Sequence, residues 1–356
     1  MSAPPSRPSS GGGGRGWKIF AGLLIVLLLA SLLGNLVWAG SLFSVALPRP
    51  SRVGPVLVET LVEDHRARAK IAVLDVEGMI AGGYIDAGGV TLIDLLIAQL
   101  KRAEEDAAVK AVVLRVNSPG GEVLTSDEIA NAVREFQDRC DKPVIASLGG
   151  VAASGGYYIS APCRWIVANE LTLTGSIGVI MQAYNYRGLM DRVGVRPEVY
   201  KSGRFKDMLR GSRAESEVPP EERKMLQDLI DETYGRFRKV VEEGRTKSLV
   251  ANGNSSRKLV PDWIDYADGR VLSGRQAFEL GFVDELGNFK AAFERAKVLV
   301  GVREANLVEY RMPFDPFSFL RIFGTTEVHS VKVDLGLELP KLKMGHLYFL
   351  FLPMSQ

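Results

Sequence analysis

Histidine is scarce in this chain, which has only three histidines among its 356 residues. His65 lies ahead of the regular strand and helix patterns, and His329 and His346 lie close to the C-terminus. None of them falls within the patterned region of roughly residues 70 to 300. A Ser-His-Asp catalytic arrangement would therefore need a histidine from the C-terminal region to reach into the body of the protein.

The chain also has a small net charge and few cysteines. The formal net charge is +2, and no stretch interleaves basic with aromatic residues, so nothing predicts nucleic-acid binding. The two cysteines, Cys140 and Cys163, each precede a predicted strand. If these strands are parallel neighbours, roughly 5 Å apart, an exported domain would permit a disulfide between them. Two unpaired, partly buried thiols are the alternative that we favour, because the adjacency of the strands is itself inferred.

Charge is absent from one long stretch, residues 19–48. Its first part, residues 19–39, is dense in Leu, Val and Ile, and a helix of that length crosses the roughly 30 Å hydrocarbon core of a bilayer. Trp17 and Trp38 bracket the run at interfacial positions. Residues 17–40 are therefore predicted to form a transmembrane anchor in contact with the lipid bilayer.

Basic residues precede this apolar run, namely Arg7, Arg15 and Lys18. This asymmetry favours a cytoplasmic N-terminus and an exported body, and so a single-pass protein of the plasma (inner) membrane. The alternative is a cleaved signal peptide, because VWA at 37–39 is compatible with a cleavage site. The apolar run is longer than the usual core of a signal peptide, of about 7–15 residues, and we therefore favour the anchor.

Five parts follow one another along the chain. They are a disordered cytoplasmic tail (1–16), the anchor (17–40), a linker (41–69), an α/β domain (70–300) and a C-terminal extension (301–356). Within the domain, strand patterns at 71–80, 111–117, 143–149 and 164–169 alternate with helical patterns at 90–106 and 125–139. This alternation predicts a parallel sheet with flanking helices.

Two local details of the domain are predicted as well. Thr125 and Glu128 have the spacing of a capping box at the start of the second helix. An apolar stripe on a later, long helix is predicted to pack in the core; it comprises Met225, Leu226, Leu229, Ile230, Tyr234, Phe237 and Val241.

Two predicted strands end in glycine-bearing loops, NSPGG at 117–121 and GGVAASGG at 149–156. Functional sites of parallel α/β sheets gather at the carboxyl ends of strands, so both loops belong at one edge. Ser154 lies there among small residues, and glycine N–H groups beside it suit the oxyanion that develops during acyl transfer. Ser154 is a candidate nucleophile, and a helix-capping role is equally compatible with this stretch.

A reacting serine needs a base. Position 152 is alanine, so the G-x-S-x-G elbow of the α/β-hydrolases is absent. A lysine can replace histidine when burial lowers its affinity for a proton. The candidates are Lys201 and Lys206 in YKSGRFKDM, and their spacing alone does not choose between them. A lysine is more often a solvated surface charge than a base.

Five motifs, in this order, resemble those of the signal peptide peptidase A group of Ser–Lys serine proteases, peptidase family S49. They are NSPGGEV, ASGGYYIS, LTLTGSIGVI, YKSGRFKDM and ADGRVLSGRQAFELGFVDELG, and they cover about residues 70–300. The resemblance implies a crotonase/ClpP-like fold. It also implies roles for five residues: Ser154 as nucleophile, Lys206 as general base, Ser176 as the residue that positions the lysine amine, and the backbone amides of Gly121 and Gly155 as the oxyanion hole. Lys201 has no role in this scheme.

The resemblance implies a membrane-anchored serine endopeptidase (EC 3.4.21.-) that hydrolyses hydrophobic peptides such as cleaved signal peptides, without metal or organic cofactor. One catalytic unit and one span resemble the shorter bacterial members, which assemble into homo-oligomeric rings whose neighbouring subunits build the substrate cavity. Two alternatives are a crotonase-type acyl-CoA enzyme, which shares the paired-amide oxyanion hole, and a non-catalytic membrane scaffold on the same fold.

Two regions depart from the family pattern. Residues 249–262 are longer and more polar than the usual approach to the ADGR motif. Aromatic clusters at 313–323 and 347–353 are not part of the motifs, and we interpret them as packing against the domain or a neighbouring subunit. A tail that mimics substrate or touches the membrane is the alternative.

Overall fold

The computed structural model describes residues 14–46, 54–86, 89–313 and 346–351. The chain divides into two compact units, residues 1–53 and 54–356. The first contains helix α1 (Gly14–Ala46), within which Ile19–Leu36 form an 18-residue apolar stretch whose side chains are not buried. At a rise of 1.5 Å per residue this stretch is about 27 Å long. The helix is thus long and apolar enough to cross a membrane, as expected of the predicted anchor.

Eleven strands are described in the second unit. They are β1 (Val58–Glu63), β2 (Lys70–Glu77), β3 (Val109–Ser118), β4 (Gly120–Glu122), β5 (Val144–Ala153), β6 (Trp165–Ala168), β7 (Leu173–Gly175), β8 (Val271–Ser273), β9 (Glu285–Leu286), β10 (Asn306–Arg311) and β11 (Tyr348–Leu350). Nine form one sheet with the order β1-β10-β2-β3-β5-β6-β9, and β7 and β8 extend it from the end of β5. The two remaining strands, β4 and β11, pair with each other.

The large sheet is mostly parallel, as predicted. Every ladder from β10 through β2, β3, β5 and β6 to β9 is parallel, and β7 is parallel to β5. Only the β1–β10 and β7–β8 ladders of this sheet are antiparallel. Since β1 and β10 lie outside the range predicted for the domain, the sheet extends beyond residues 70–300 at both ends.

Helices cover both faces of the sheet. After α1 they are α2 (Leu92–Glu105), α3 (Val123–Cys140), α4 (Gly155–Ser160), α5 (Arg187–Arg192), α6 (Pro220–Ala251), α7 (Gly274–Glu279) and α8 (Phe289–Val300). Alternate strand residues face two apolar layers, so that Ala72 and Leu74 lie in one layer and Ile71 and Val73 in the other. Burial on both faces explains why these strands are almost continuously apolar in sequence.

Two helix predictions need correction. Helix α3 begins at Val123, directly after β4, with Glu122 as its N-cap. Thr125 is therefore a buried residue inside the helix, and the capping box predicted for Thr125 and Glu128 is wrong. A capping box does occur at Thr91, at the start of α2.

The apolar stripe of α6 packs in the core only along its second half. Phe237 and Val241 are buried, whereas Met225 and Leu229, in the first half, are exposed. Ile230 and Tyr234, also in the first half of the helix, line a cleft.

Both cysteines are free thiols. Strands β5 and β6 are parallel neighbours as expected, but Cys140 is the last residue of α3 and its Sγ donates to Phe136 O at 3.0 Å. Cys163 is fully buried, and burial raises the pKa of both thiols. The structure therefore agrees with the alternative of two unpaired thiols and not with a disulfide.

Thiol titration checks this arrangement. The unreduced, unfolded protein should show two reactive thiols per chain, because no bond joins them. The native protein should react more slowly at Cys163 than at Cys140, because Cys163 is the more deeply buried. Addition of a reductant should leave the melting temperature unchanged. No thiols in the unreduced, unfolded chain would contradict the structure.

Candidate active site

Ser154 lies at the junction between β5 and α4 in an unusual backbone conformation. Its φ is 54° and its ψ is −115°, a region that non-glycine residues rarely occupy. The turn is held from both sides, since the Ser154 N–H donates to Gly175 O and its carbonyl accepts from Tyr158 N–H, each at 2.8 Å. The side chain makes no capping hydrogen bond to α4, and the residue is 1% exposed. Such strain at a buried hydroxyl is typical of functional sites.

The glycines after Ser154 allow α4 to pack directly onto the backbone of β4. A Cβ on Gly155 would lie 2.8 Å from Ser126 Oγ and 3.1 Å from Gly121 N, contacts that only glycine avoids. The Gly155 N–H is the first of α4 and has no acceptor within the helix. The packing therefore brings the amides of Gly121 and Gly155, 34 residues apart in sequence, to neighbouring positions beside Ser154.

Ser176 lies on the other side of the same cleft. It follows β7, has a φ of 49°, and is held by a bond from its N–H to Arg270 O at 2.7 Å. Its preceding residue, Gly175, is the one that accepts from Ser154. Ser154 and Ser176 both line a cavity of about 510 Å³. The other lining residues are mostly apolar and comprise Ile177, Gly178, Val179, Ile180, Ile230, Asp231, Tyr234, Asp268, Gly269 and Leu350.

The carboxylate of Asp268, at this cavity, is not available as a base. The Arg270 side chain donates to both of its oxygens, at 2.8 and 2.7 Å, and these bonds lower the pKa of Asp268 to about 2. The carboxylate is therefore ionised at neutral pH and has little affinity for a proton. The ADGR motif thus supplies a charged pair at the cleft, a role that the sequence did not reveal.

The two candidate lysines have different surroundings. Lys201 Nζ donates to Asp207 at 2.6 Å and to Arg204 O at 3.0 Å, and the first bond lowers the pKa of Asp207. Lys206 is exposed, and within the described residues its Nζ has no hydrogen-bond acceptor. Lys206 is also not among the residues that line the cavity of Ser154. One chain thus brings Ser154, Ser176 and the two glycine amides together, whereas Lys206 is exposed to solvent outside the cavity.

The histidines are not placed as a catalytic base within the described residues. His65 lies on the far side of the sheet, where its ring stacks on Phe293 and its Nε2 is 3.1 Å from a Glu63 oxygen. His346 precedes β11 and stacks against Tyr348, and it does not line the cavity. His329 lies outside the described residues.

Comparisons with known proteins agree with this architecture. The model of peptidase family S49 matches residues 135–303, and the Clp protease model matches residues 74–165. The chain is 38% identical over 262 residues to a protein of Enterococcus faecium named signal peptide peptidase SppA. This match covers 72% of this chain and 71% of the other protein. The Clp protease match and the mostly parallel sheet confirm the predicted crotonase/ClpP-like fold.

Two further relatives carry protease names. A Synechocystis protein is 38% identical over 272 residues, covering 76% of this chain and 89% of its own length. Protease 4 of Haemophilus influenzae is 36% identical over 251 residues, covering 70% of this chain and 38% of its own length.

Proposed function

The chain belongs to peptidase family S49, and from that premise we propose that it is a membrane-anchored endopeptidase with a Ser154–Lys206 dyad. The observation that carries the proposal is the position of Ser154. Its hydroxyl lies on a strained turn beside two glycine amides, at the rim of an apolar cleft. A serine protease needs this combination of nucleophile and oxyanion donors.

In the proposed reaction, Ser154 Oγ attacks the carbonyl carbon of a peptide bond, and Lys206 Nζ takes the hydroxyl proton. The carbonyl oxygen becomes an oxyanion that accepts hydrogen bonds from the Gly121 and Gly155 N–H groups. Lys206 then gives the proton to the leaving amine as the C–N bond breaks. A water molecule, deprotonated by the same lysine, then attacks the acyl carbon, the ester bond to Ser154 Oγ breaks, and the lysine returns the proton to that oxygen. Ser176 orients the lysine amine.

We further propose that the dyad is completed between two copies of the chain. Lys206 is exposed and outside the cavity of Ser154, so the site of one chain lacks its base. The segment before Lys206 exposes large apolar side chains that suit contact with another copy: Tyr184, Leu189, Val195 and Tyr200. A homo-oligomeric ring, the assembly implied by the family resemblance, would bring this segment to a neighbour's cleft.

The proposed substrates are hydrophobic peptides, with cleaved signal peptides foremost. The cleft is lined by Ile177, Val179, Ile180 and Ile230, which favour apolar side chains over charged ones. The relative from Enterococcus faecium is named a signal peptide peptidase, which agrees with this substrate class. Helix α1 would hold the body at the outer face of the plasma membrane, with the N-terminus in the cytoplasm.

Labelling and hydrolysis by the purified full-length protein test the proposal. A fluorophosphonate should modify Ser154 alone, and a peptide library should be cleaved beside apolar residues. A requirement for Asp, Glu, Lys or Arg at the scissile bond would contradict the proposed substrate class. Turnover of acyl-CoA thioesters without labelling would instead support the crotonase-type alternative. Failure of both reactions in folded protein would favour the scaffold.

A further inference from the structure

The segment that carries Lys206 is held without a helix or strand. Residues 194–214 all lie in the described part of the chain, and none of them belongs to a regular element. Turn hydrogen bonds hold the backbone instead: Lys206 N–H donates to Gly203 O, and Met208 N–H donates to Phe205 O, each at 3.2 Å. Such turns shape a loop only locally, so the contacts of its side chains decide where the segment lies.

A buried arginine joins this segment to α6. The two terminal nitrogens of Arg213 face different carboxylates: Nη1 lies 3.6 Å from Asp207 Oδ1, and Nη2 donates to Glu222 Oε1. Asp207 directly follows Lys206, and Glu222 lies in the first turn of α6. Arg213 therefore ties the residue beside the proposed base to the start of a long helix.

Glu222 binds the segment at a second point. Its Oε1 also accepts from Leu209 N–H at 3.3 Å, and Leu209 has a φ of 61°, in the left-handed region that leucine rarely occupies. The other oxygen of Glu222 is buried and has no hydrogen-bond partner within the described residues. A buried carboxylate is strongly unfavourable without its cation, so Arg213 and Glu222 hold each other, and the segment, in one arrangement.

A second ion pair joins the same two elements in solvent. Arg204 Nη2 donates to Glu221 Oε1 at 3.2 Å, and these side chains are 61% and 55% exposed. Exposed pairs contribute little, because water screens the charges and the side chains keep their freedom of motion. The side chains of Arg213 and Glu222 are 9% and 2% exposed. The buried pair is thus the one that fixes the segment to α6.

The side chains of Lys206 and Asp207 face opposite ways, although the two residues are neighbours in sequence. Lys206 is exposed, whereas the side chain of Asp207 is 9% exposed. Lys201 also donates to Asp207, but Lys201 is itself 34% exposed, and Arg213 is the partner that extends to Glu222. By holding Asp207 inward, Arg213 directs the adjacent lysine outward, where a neighbouring copy would meet it in the proposed assembly.

We infer that Arg213 is a positioning residue for the general base, because it fixes the segment from which the Lys206 amine reaches the cleft of Ser154. This inference rests on the proposed function, in which Lys206 is the base. Proton transfer needs the amine within hydrogen-bond reach of the hydroxyl, and a displacement of about 1 Å lowers the rate roughly 100-fold. Arg213 does not line the cavity of Ser154, so it acts through the segment alone.

Steady-state kinetics of Arg213→Gln test the inference, with Arg204→Gln as the matched control. Arg213→Gln should lower kcat about 10- to 100-fold and change KM less than about threefold, because the base is misplaced while the cleft is intact. Arg204→Gln breaks the exposed pair, closer to Lys206 in sequence, and should change kcat less than about twofold. Equal effects of the two substitutions, or an effect on KM alone, would overturn the inference.

The double variant Arg213→Gln/Glu222→Gln separates positioning from stability, in case Arg213→Gln fails to fold. It leaves no buried carboxylate unpaired, and the two amides are able to hydrogen-bond to each other. The melting temperature should therefore stay close to that of the wild type, while kcat remains at least about 10-fold lower because Asp207 has lost its arginine. Recovery of kcat together with the melting temperature would show that Arg213 serves stability alone.

Mixed assemblies locate the effect in the chain that supplies the lysine. When Ser154→Ala and Lys206→Ala chains assemble, a complete site combines the lysine of the first with the serine of the second. Arg213→Gln should lower activity at least about 10-fold when added to the Ser154→Ala chain, and less than about twofold when added to the Lys206→Ala chain. Equal losses from both placements would show a general structural role and overturn the inference.

The outcome for Lys206→Ala keeps this inference apart from the proposed function. An active Lys206→Ala protein would mean that the proposed base is wrong, whatever Arg213 does. An inactive Lys206→Ala protein beside a fully active Arg213→Gln protein would overturn only the role of Arg213. If the mixed assemblies are inactive, both dyad residues belong to one chain, and kcat of the Arg213→Gln/Glu222→Gln protein decides the inference.

Discussion

Replacement of Ser154 by alanine is expected to lower kcat for peptide hydrolysis by about 10⁴-fold or more, without loss of the folded state. The hydroxyl is the group that forms the acyl-enzyme, and no other described serine shares its position between β5 and the two glycine amides. Its side chain makes no bond to α4 that the substitution would remove. Steady-state kinetics and a thermal melt of the same preparation measure the two effects.

Lys206→Ala should reduce kcat to a similar extent, and the double variant should be little worse than either single one, because the two groups act in one proton transfer. Lys201→Ala is the matched control, since Lys201 already pairs with Asp207 and should retain activity. Ser176→Ala should lower kcat roughly 10- to 100-fold, as expected of a residue that positions the base. Inactive Lys201→Ala beside active Lys206→Ala would reverse the assignment of the base.

Activity should return when two inactive variants assemble together. If Lys206 of one copy serves Ser154 of its neighbour, a random ring of equal parts Ser154→Ala and Lys206→Ala chains has both groups at about one site in four. Co-expression with two different affinity tags, followed by purification through both, provides the mixed assembly. We expect it to show roughly a quarter of the wild-type activity.

The control for this experiment pairs each single variant with the Ser154→Ala/Lys206→Ala chain. These mixtures contain no complete dyad in any arrangement, so they should remain inactive. A mixed assembly of the two single variants that stays equally inactive would place Lys206 and Ser154 in the same chain. The lysine would then have to move from its exposed position into the cleft on substrate binding.

Local patterns were enough to predict the sheet and the edge at which Ser154 lies, whereas Gly121, Gly155 and Ser176 were named only through the family resemblance. Strands such as β3 and β5 are nearly continuous apolar runs because both of their faces are buried, and such runs between helical patterns indicate a parallel sheet. The glycine loops after β3 and β5 marked the edge where Ser154 and Gly121 meet. The boundary of α3 was missed because a short strand, β4, pairs with a segment more than 200 residues away and leaves no local signal.

The sequence by itself determined the order of the elements, the apolar N-terminal helix and the chemistry available at Ser154, since each depends on neighbouring residues and on residue type. Only the tertiary structure decided the strained backbone of Ser154, the ion pair that engages Lys201, and the exposure of Lys206. It also decided that β11 lies against β4, with Phe349 in an aromatic pocket. These features arise from contacts between residues distant in sequence, whose geometry depends on how the whole sheet and its helices pack.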